Sequence, residues 1–248
     1  MNLETAVAFV TGTNRGLGAA LVAALQQQGV KKIYAGSRSG QSGLNGVVDV
    51  KLDVTKADEV AAAVELARDT TLLINNAGLN HNAPLLNPLD ESSAQLEMEV
   101  NYFGTLRMCR VFAPIIVNNG GGTIVNIASI LGRVSVPLVG SVAASKAAQI
   151  NLSQSLRGQL AENKVTVINV MPGPMDTDMA RYYPFAKTAP AQVASTIVEA
   201  IKGDIEDVYP DAIAQFVAAE LDKDAKHVEK NVTSMMVSMK LPPEPVTV

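Results

Sequence analysis

Ala6-Val7-Ala8-Phe9-Val10-Thr11-Gly12-Thr13-Asn14-Arg15-Gly16-Leu17-Gly18 is the stretch that decides the fold. Its first five residues are continuously apolar rather than alternating, the pattern of a strand covered on both faces. From Leu17 to Gln28 the apolar residues Leu21, Val22 and Leu25 recur at helical spacing, and Gly29 stands where a helix C′ residue belongs. Between strand and helix lies a glycine turn. Glycines let the backbone bend sharply and approach a diphosphate, which the free N–H groups and dipole of the following helix stabilise.

The same rhythm continues outward. Short apolar runs recur at Lys32–Gly36, Val47–Leu52, Leu72–Asn75, Gly122–Ile127 and Val165–Val170. Helical patterns lie between most of them, at Ala57–Arg68, Ala94–Val117 and Ala143–Glu162, and return at Ala191–Lys202 and from Ala212 to about Val232. Strand, helix, strand implies right-handed crossovers, hence an α/β, doubly wound, Rossmann-like parallel sheet of about seven strands flanked by helices. No shift of composition divides the 248 residues, so one dinucleotide-binding and catalytic domain over 1–248 is expected. Pro174–Pro190, with prolines, tyrosines and little periodicity, reads as a substrate lid. The end, about 234–248, contains Leu241-Pro-Pro-Glu-Pro and reads as a loose tail.

Composition excludes several classes. A net charge of −4 with mixed signs offers no basic stripe for nucleic acid. The single cysteine, Cys109, rules out a disulfide framework, and His81 and His227 show no metal-ligand spacing, so no metal is expected. No run approaches the roughly 20 apolar residues that span a bilayer. A soluble, cytoplasmic protein with no membrane partner is expected.

Further motifs appear in order along the chain: Leu52-Asp53-Val54, Asn75-Asn76-Ala77-Gly78, Asn101, Ser129, Lys146, and Pro172-Gly173 with Thr177. With Gly12, Gly16 and Gly18 they resemble the short-chain dehydrogenases/reductases over nearly the whole chain, from Ala6 to about Asp222. The resemblance implies that Thr13, Asn14 and Leu17 join the glycines around a dinucleotide, and that Asp53 and Val54 contact its adenine. It also implies that Asn76, Ala77 and Gly78 steady the sheet beside it, and that Pro172, Gly173 and Thr177 hold the nicotinamide. The choice of dinucleotide follows from charge. An acidic residue about 20 positions beyond the glycines usually binds the ribose 2′-hydroxyl. Here the second strand ends Tyr34-Ala35-Gly36-Ser37-Arg38, with no acid. Arg38, beside Ser37, suits a 2′-phosphate instead, and Arg15 resembles the second basic residue of NADP-preferring members. NADP is the expected cofactor.

In this family a serine orients the carbonyl, a tyrosine passes the proton, and a lysine four residues on lowers the tyrosine's pKa and binds the ribose. Ser129 and Lys146 match, and Asn101 matches a kink residue whose backbone carbonyl holds a water next to the lysine. Counting back four from Lys146, however, gives Val142, and no tyrosine lies between Tyr102 and Tyr182. A general acid/base contributes about 10²–10⁴-fold, and valine has no proton to give. Three readings follow. The chain is an impaired or engineered variant of an NADP(H)-dependent carbonyl reductase or secondary-alcohol dehydrogenase. Alternatively, it is a natural member with another proton donor, a water on Lys146 and Asn101 or a lid tyrosine, Tyr182 or Tyr183. The third reading is an NADP-binding scaffold or a lyase- or isomerase-type enzyme.

Met179, Tyr182, Tyr183 and Phe185 in and beside the lid point to an apolar or aromatic small-molecule carbonyl or alcohol. His81 reads as a loop residue and Cys109 as core or interface packing. Met235, Met236 and Met239 read as packing or a subunit contact. The resemblance further implies a homodimer or homotetramer, with the helices at Ala94–Val117 and Ala143–Glu162 pairing across a two-fold axis.

Overall fold

The structure, a computed structural model, describes residues 1–82, 84–86, 92–181, 183–184 and 186–237. Its strands are β1 (Val7–Thr11), β2 (Lys32–Ser37), β3 (Val48–Lys51), β4 (Leu72–Asn75), β5 (Gly122–Ile127), β6 (Val165–Val170) and β7 (Asp207–Val208). They form one seven-stranded sheet in the order β3-β2-β1-β4-β5-β6-β7, and every pairing is parallel. The order reverses between β1 and β4, so a crevice opens at their C-terminal ends, where ligands of such sheets bind.

The helices are α1 (Gly16–Gln27), α2 (Ala57–Leu66), α3 (Ser93–Met98), α4 (Thr105–Asn118), α5 (Gly140–Leu160), α6 (Pro190–Lys202) and α7 (Ala212–Val237). None of the described helices is long and apolar enough to cross a membrane. The continuous apolar run of β1 is explained by the two layers. Ala8 and Val10 pack with Leu21 and Leu25 of α1 and Val193 and Ile197 of α6, whereas Val7 and Phe9 pack with Met108 and Phe112 of α4 and Leu156 of α5. Phe9, Phe112, Leu21 and Leu25 are fully buried, each worth roughly 1.5–3 kcal/mol in transfer out of water.

Three elements depart from the sequence reading. The helix expected over Ala94–Val117 is divided by a π-helical segment, Glu99–Gly104. Gly104 is pressed against Val54 there, and a Cβ on it would lie 2.6 Å from the valine Cγ2. The wider turn presents Asn101 to the crevice side of the helix bundle. The long C-terminal helix breaks at Asp224 (φ −154°, ψ 90°), whose carboxylate accepts the amide hydrogen of His227 and so caps a second helical segment. The strand β7 has two residues and left no pattern to read. Residues 238–248, which include Met239 and the proline-rich end, lie outside the described residues.

Candidate active site

Gly12 (φ +70°) begins the turn in the left-handed region that favours glycine, and its amide donates to Gly36 O at 2.8 Å. Gly18, in the first turn of α1, is where helix and turn meet most closely: a Cβ there would lie 2.0 Å from Gly12 O and 2.7 Å from Asn76 Nδ2. Arg15 occupies the N-cap position and no side chain caps this helix end, so the first amides of α1 point into the crevice without an intrahelical acceptor. Thr13 is buried and bonds Gly36 O through its hydroxyl at 3.2 Å, while Asn14 and Arg15 are exposed. Leu17 faces the core. This is a cradle for a diphosphate.

The floor of the crevice comes from β4 and its following turn. Asn76 Nδ2 donates to the carbonyls of Thr11 and Gly12, both at 3.0 Å, and the amides of Asn76 and Ala77 donate to Thr11 Oγ1 at 3.0 and 2.9 Å. Gly78 lies opposite Asn101 and Lys146: a Cβ on it would be 3.4 Å from Asn101 Oδ1 and 3.7 Å from Lys146 Nζ. At the adenine end, Asp53 Oδ1 accepts from the amide and hydroxyl of Thr55 at 3.0 and 2.7 Å. Burial alone would raise the Asp53 carboxyl; those two bonds, with Lys56 and Arg38 nearby, outweigh it and hold the pKa below the usual carboxylate value. Val54 is buried, Ser37 is buried with its hydroxyl 3.3 Å from that of Ser39, and Arg38 is exposed at the end of β2.

Ser129 follows β5 and caps a short 3₁₀ turn, Ile130–Gly132: its Oγ accepts from the Leu131 amide at 3.1 Å and lies 3.3 Å from Pro172 O. Lys146 reaches the same edge from α5, donating to Ile127 O and Gln149 Oε1, both at 2.8 Å. Among the described residues no charged partner contributes to its titration. Burial disfavours the ammonium and lowers its pKa to about 7. Val142 lies one turn earlier on α5, buried in an apolar cluster with Val136 and Val139, against which the ring of Tyr183 packs. The position that should carry a phenol is therefore part of a valine wall.

Asn101 is fully buried in the π-helical segment, the place of the kink residue that the resemblance implies. Its side chain clamps the turn after β4, accepting from the Leu79 amide at 2.8 Å and donating to Leu79 O and Ser145 Oγ, both at 2.9 Å. Its backbone carbonyl, expected to hold a water, accepts from Thr105 Oγ1 at 2.8 Å. That hydroxyl in turn accepts from Gln149 Nε2 at 2.7 Å. Side chains thus join Asn101 to Lys146.

Over the crevice, the segment following β6 starts with Pro172, whose carbonyl accepts from the Ile130 amide at 3.0 Å. The amide of Gly173 donates to Asp211 Oδ2 at 2.7 Å. Asp211, 2% exposed, also accepts from the Ala214 amide at 2.9 Å and so ties this segment to the start of α7. A Cβ on Gly16 would lie 3.3 Å from Thr177 Cγ2, which brings the glycine turn and this segment together. Met175 and Thr188 form a parallel bridge that closes the base of the lid segment. Arg15 is engaged here: its guanidinium lies 3.1 Å from Asp178, which also pairs with Arg181 at 2.6 Å. Both side chains of the Arg15 pair are nearly half exposed, so solvent screens the pair and Arg15 exchanges readily for another anion. The Tyr183 hydroxyl donates to Asn82 Oδ1, and burial raises its pKa. Tyr182 and Phe185 lie outside the described residues. His81 is not a free loop residue: its ring is 2.8 Å from Ser93 Oγ and its amide donates to Glu97 Oε1 at 2.7 Å. Cys109 is buried in the core beside Asn75, and burial pushes its thiol up to about 12.

Three site-building residues escaped the sequence reading. Gln149 shares a face of α5 with Ser145 and Ser153, a polar stripe at i+4 spacing on a buried helix that the sequence displays openly. Thr105 opens α4 and bonds the carbonyl four residues back, a contact with no sequence signature of its own. Asp211, one residue before α7, carries an N-cap signature.

The model of the family described as short chain dehydrogenase matches residues 6–187. A short-chain dehydrogenase of Penicillium ochrochloron is 34% identical over 186 residues, covering 71% of this chain and 68% of that protein. The 3-oxoacyl-(acyl-carrier-protein) reductase of Vibrio cholerae is 30% identical over 193 residues, covering 73% and 78%. Among solved structures, a short chain dehydrogenase from Burkholderia cenocepacia in complex with NADP is 44% identical and superposes with a TM-score of 0.90, covering 94% of this chain and 99% of that one. With the parallel seven-stranded sheet and the glycine cradle at its switch point, these matches make the chain a member of the short-chain dehydrogenase family.

Proposed function

We propose that the chain binds NADP(H) and is built for interconverting a carbonyl and a secondary alcohol, with the proton-transfer half of that chemistry impaired by Val142. The observation that carries this reading is the meeting of Ser129 and Lys146 at the C-terminal edge of β5, with valine on the helix turn before the lysine. The cradle fits a dinucleotide. The uncapped α1 terminus suits the diphosphate, Arg38 and an exchangeable Arg15 suit a 2′-phosphate, and no acid stands at the end of β2 to repel it. The related Burkholderia cenocepacia protein, solved with NADP, supports the same choice.

When bound, the dinucleotide supplies or accepts the hydride. The chain's own residues then have distinct tasks. The Ser129 hydroxyl orients the substrate oxygen, Lys146 contacts the ribose and holds a proton that titrates near neutrality beside it, and Asn101 fixes the turn that carries Gly78. Gly12, Gly16, Gly18, Thr13, Asn14 and Leu17 form the diphosphate cradle. Asp53 and Val54 border the adenine, Asn76 and Ala77 the floor, and Pro172, Gly173 and Thr177 the nicotinamide. Residues 174–190 act as a lid over an apolar or aromatic substrate, consistent with the valine wall of Val136, Val139 and Val142. The chain works as one cytoplasmic domain in a homodimer or homotetramer through α4 and α5; the tail expected from about 234 is helical as far as Val237, the end of α7. The close packing of that wall also favours a second reading, an NADP-binding member that performs no carbonyl reduction.

Isothermal titration tests the cofactor assignment. NADPH should bind at least tenfold more tightly than NADH, a difference of about 1.4 kcal/mol, and Arg38→Asp should erase the gap. Equal affinities in the parent protein overturn the NADP assignment; no binding of either overturns the whole reading.

A further inference from the structure

We propose that Gln149 is a positioning residue for Lys146, holding its nitrogen at the crevice edge through a directed relay that ends on the backbone carbonyl of Asn101. The relay has one consistent polarity. The single hydrogen of the Thr105 hydroxyl is given to Asn101 O, so Thr105 Oγ1 accepts from the amide it faces. That fixes Gln149 Nε2 toward Thr105 and Oε1 toward Lys146, and it leaves no freedom for the carboxamide to be turned around. Gln149 and Asn101 are fully buried and Thr105 is 3% exposed, so water does not compete for the bonds that join these three.

The arrangement has a chemical consequence. Lys146 gives hydrogens to two neutral oxygens, Ile127 O and Gln149 Oε1. An ammonium so held keeps one hydrogen for the crevice; a neutral amine so held keeps one lone pair. Both contacts survive either protonation state, so the nitrogen stays pinned while its remaining position alternates between donor and acceptor. With valine at 142, that position is where a proton can be held next to Ser129's substrate. Neither acidic residue of the neighbouring helical segments bonds Lys146: Glu97 accepts from the His81 amide through Oε1, its other oxygen being buried with no hydrogen-bond partner, and Glu99 pairs with Arg107 at 2.6 Å. The neutral carboxamide is therefore the side chain that stabilises the charged form of Lys146, against the burial that disfavours it.

The inference deepens the proposed function in naming what holds Lys146, but its test needs no turnover. The Lys146 Nζ titration is read by ¹³C/¹⁵N lysine NMR on the full chain without cofactor, the resonance being assigned with Lys146→Arg. Gln149→Leu should lower the midpoint by about one pH unit, a tenfold change in the protonation constant. Thr105→Val, which releases the carboxamide, should lower it in the same direction by less. Gln149→Glu should raise it by about one unit, because the acceptor becomes an anion. A residue that only filled space would lower Tm in these variants without moving the midpoint. A midpoint within about 0.3 unit of the parent in folded Gln149→Leu overturns the proposal. If the leucine variant does not fold, Gln149→Glu decides, and failure to raise the midpoint overturns it equally. Parent protein that does not bind NADPH removes the proposed function and leaves this titration result standing, so the two failures are distinguishable.

Discussion

Gly18→Ala should be among the most damaging single-methyl changes in the protein. The added Cβ would sit 2.0 Å from Gly12 O and 2.7 Å from Asn76 Nδ2, the first a backbone atom of the cofactor turn. An ordinary contact needs about 3.4 Å or more, so the start of α1 and the turn must separate by over about 1 Å. Three bonds oppose that movement: Gly12 N to Gly36 O at 2.8 Å, and Asn76 Nδ2 to the carbonyls of Thr11 and Gly12 at 3.0 Å each. Overpacking of this kind costs about 1–3 kcal/mol and sometimes more, which for a chain of this length lowers Tm by roughly 2–12 °C. The turn that must move is the one shaped for the diphosphate, so NADPH affinity should fall at least about 30-fold, equivalent to 2 kcal/mol. Gly158→Ala is the matched control: nothing lies within 4 Å of its Cβ, it is exposed on α5, and it should stabilise by about 0.5–1 kcal/mol. Thermal unfolding followed by circular dichroism, with NADPH fluorescence titration, reads both. A Gly18→Ala protein with the parent Tm and the parent NADPH affinity would refute the packing of helix against turn.

Two further expectations concern buried titrating groups. The Lys146 pKa falls from 10.5 in the unfolded chain to about 7 in the folded one, so between those values the unfolded state binds more protons and stability rises with pH. Lys146→Met removes that slope: urea melts at pH 7 and pH 10 should show the parent gaining about 1–3 kcal/mol more than the variant over this interval, and parallel behaviour would contradict the lowered pKa. Cys109, buried and pushed up to about 12, should resist an aromatic disulfide reagent at pH 8 in the native protein and react on unfolding in guanidinium. Rapid native labelling would place the thiol at an opening in the core.

The sequence spoke clearly where one physical constraint acted locally. The five apolar residues before the glycine turn had to be a doubly covered strand, and Gly29 had to follow a helix; it follows α1 with φ +68°. The missing phenol was visible by counting four residues back from Lys146. What escaped depends on register or distance. A π-helical segment adds less than one residue per turn, so Glu99–Gly104 looked like continuous helix until Gly104 met Val54. The carbonyl of Asn101 was expected to hold a water because the family resemblance implies it; that it also accepts from Thr105 Oγ1, four residues on, and through it is linked to Gln149 on α5, depends on side-chain packing that no motif marks. Arg15 and Asp178 are 163 residues apart and meet through a lid segment with no periodicity. The polar stripe of Ser145, Gln149 and Ser153 was legible and marks an α5 face turned to buried polar partners rather than to a plain apolar core.

Val142→Tyr measures the central claim most directly. The phenol would stand one helical turn before Lys146, near the edge where Ser129 sits, and the lysine's positive charge would lower its pKa. NADPH-dependent reduction of an apolar ketone should rise at least 10²-fold over the valine form, since a positioned general acid supplies about 10²–10⁴, while NADPH affinity stays within about threefold. A valine form that turns over briskly and is slowed by the tyrosine would contradict the account, because the proton would then come from elsewhere in a pocket shaped around valine.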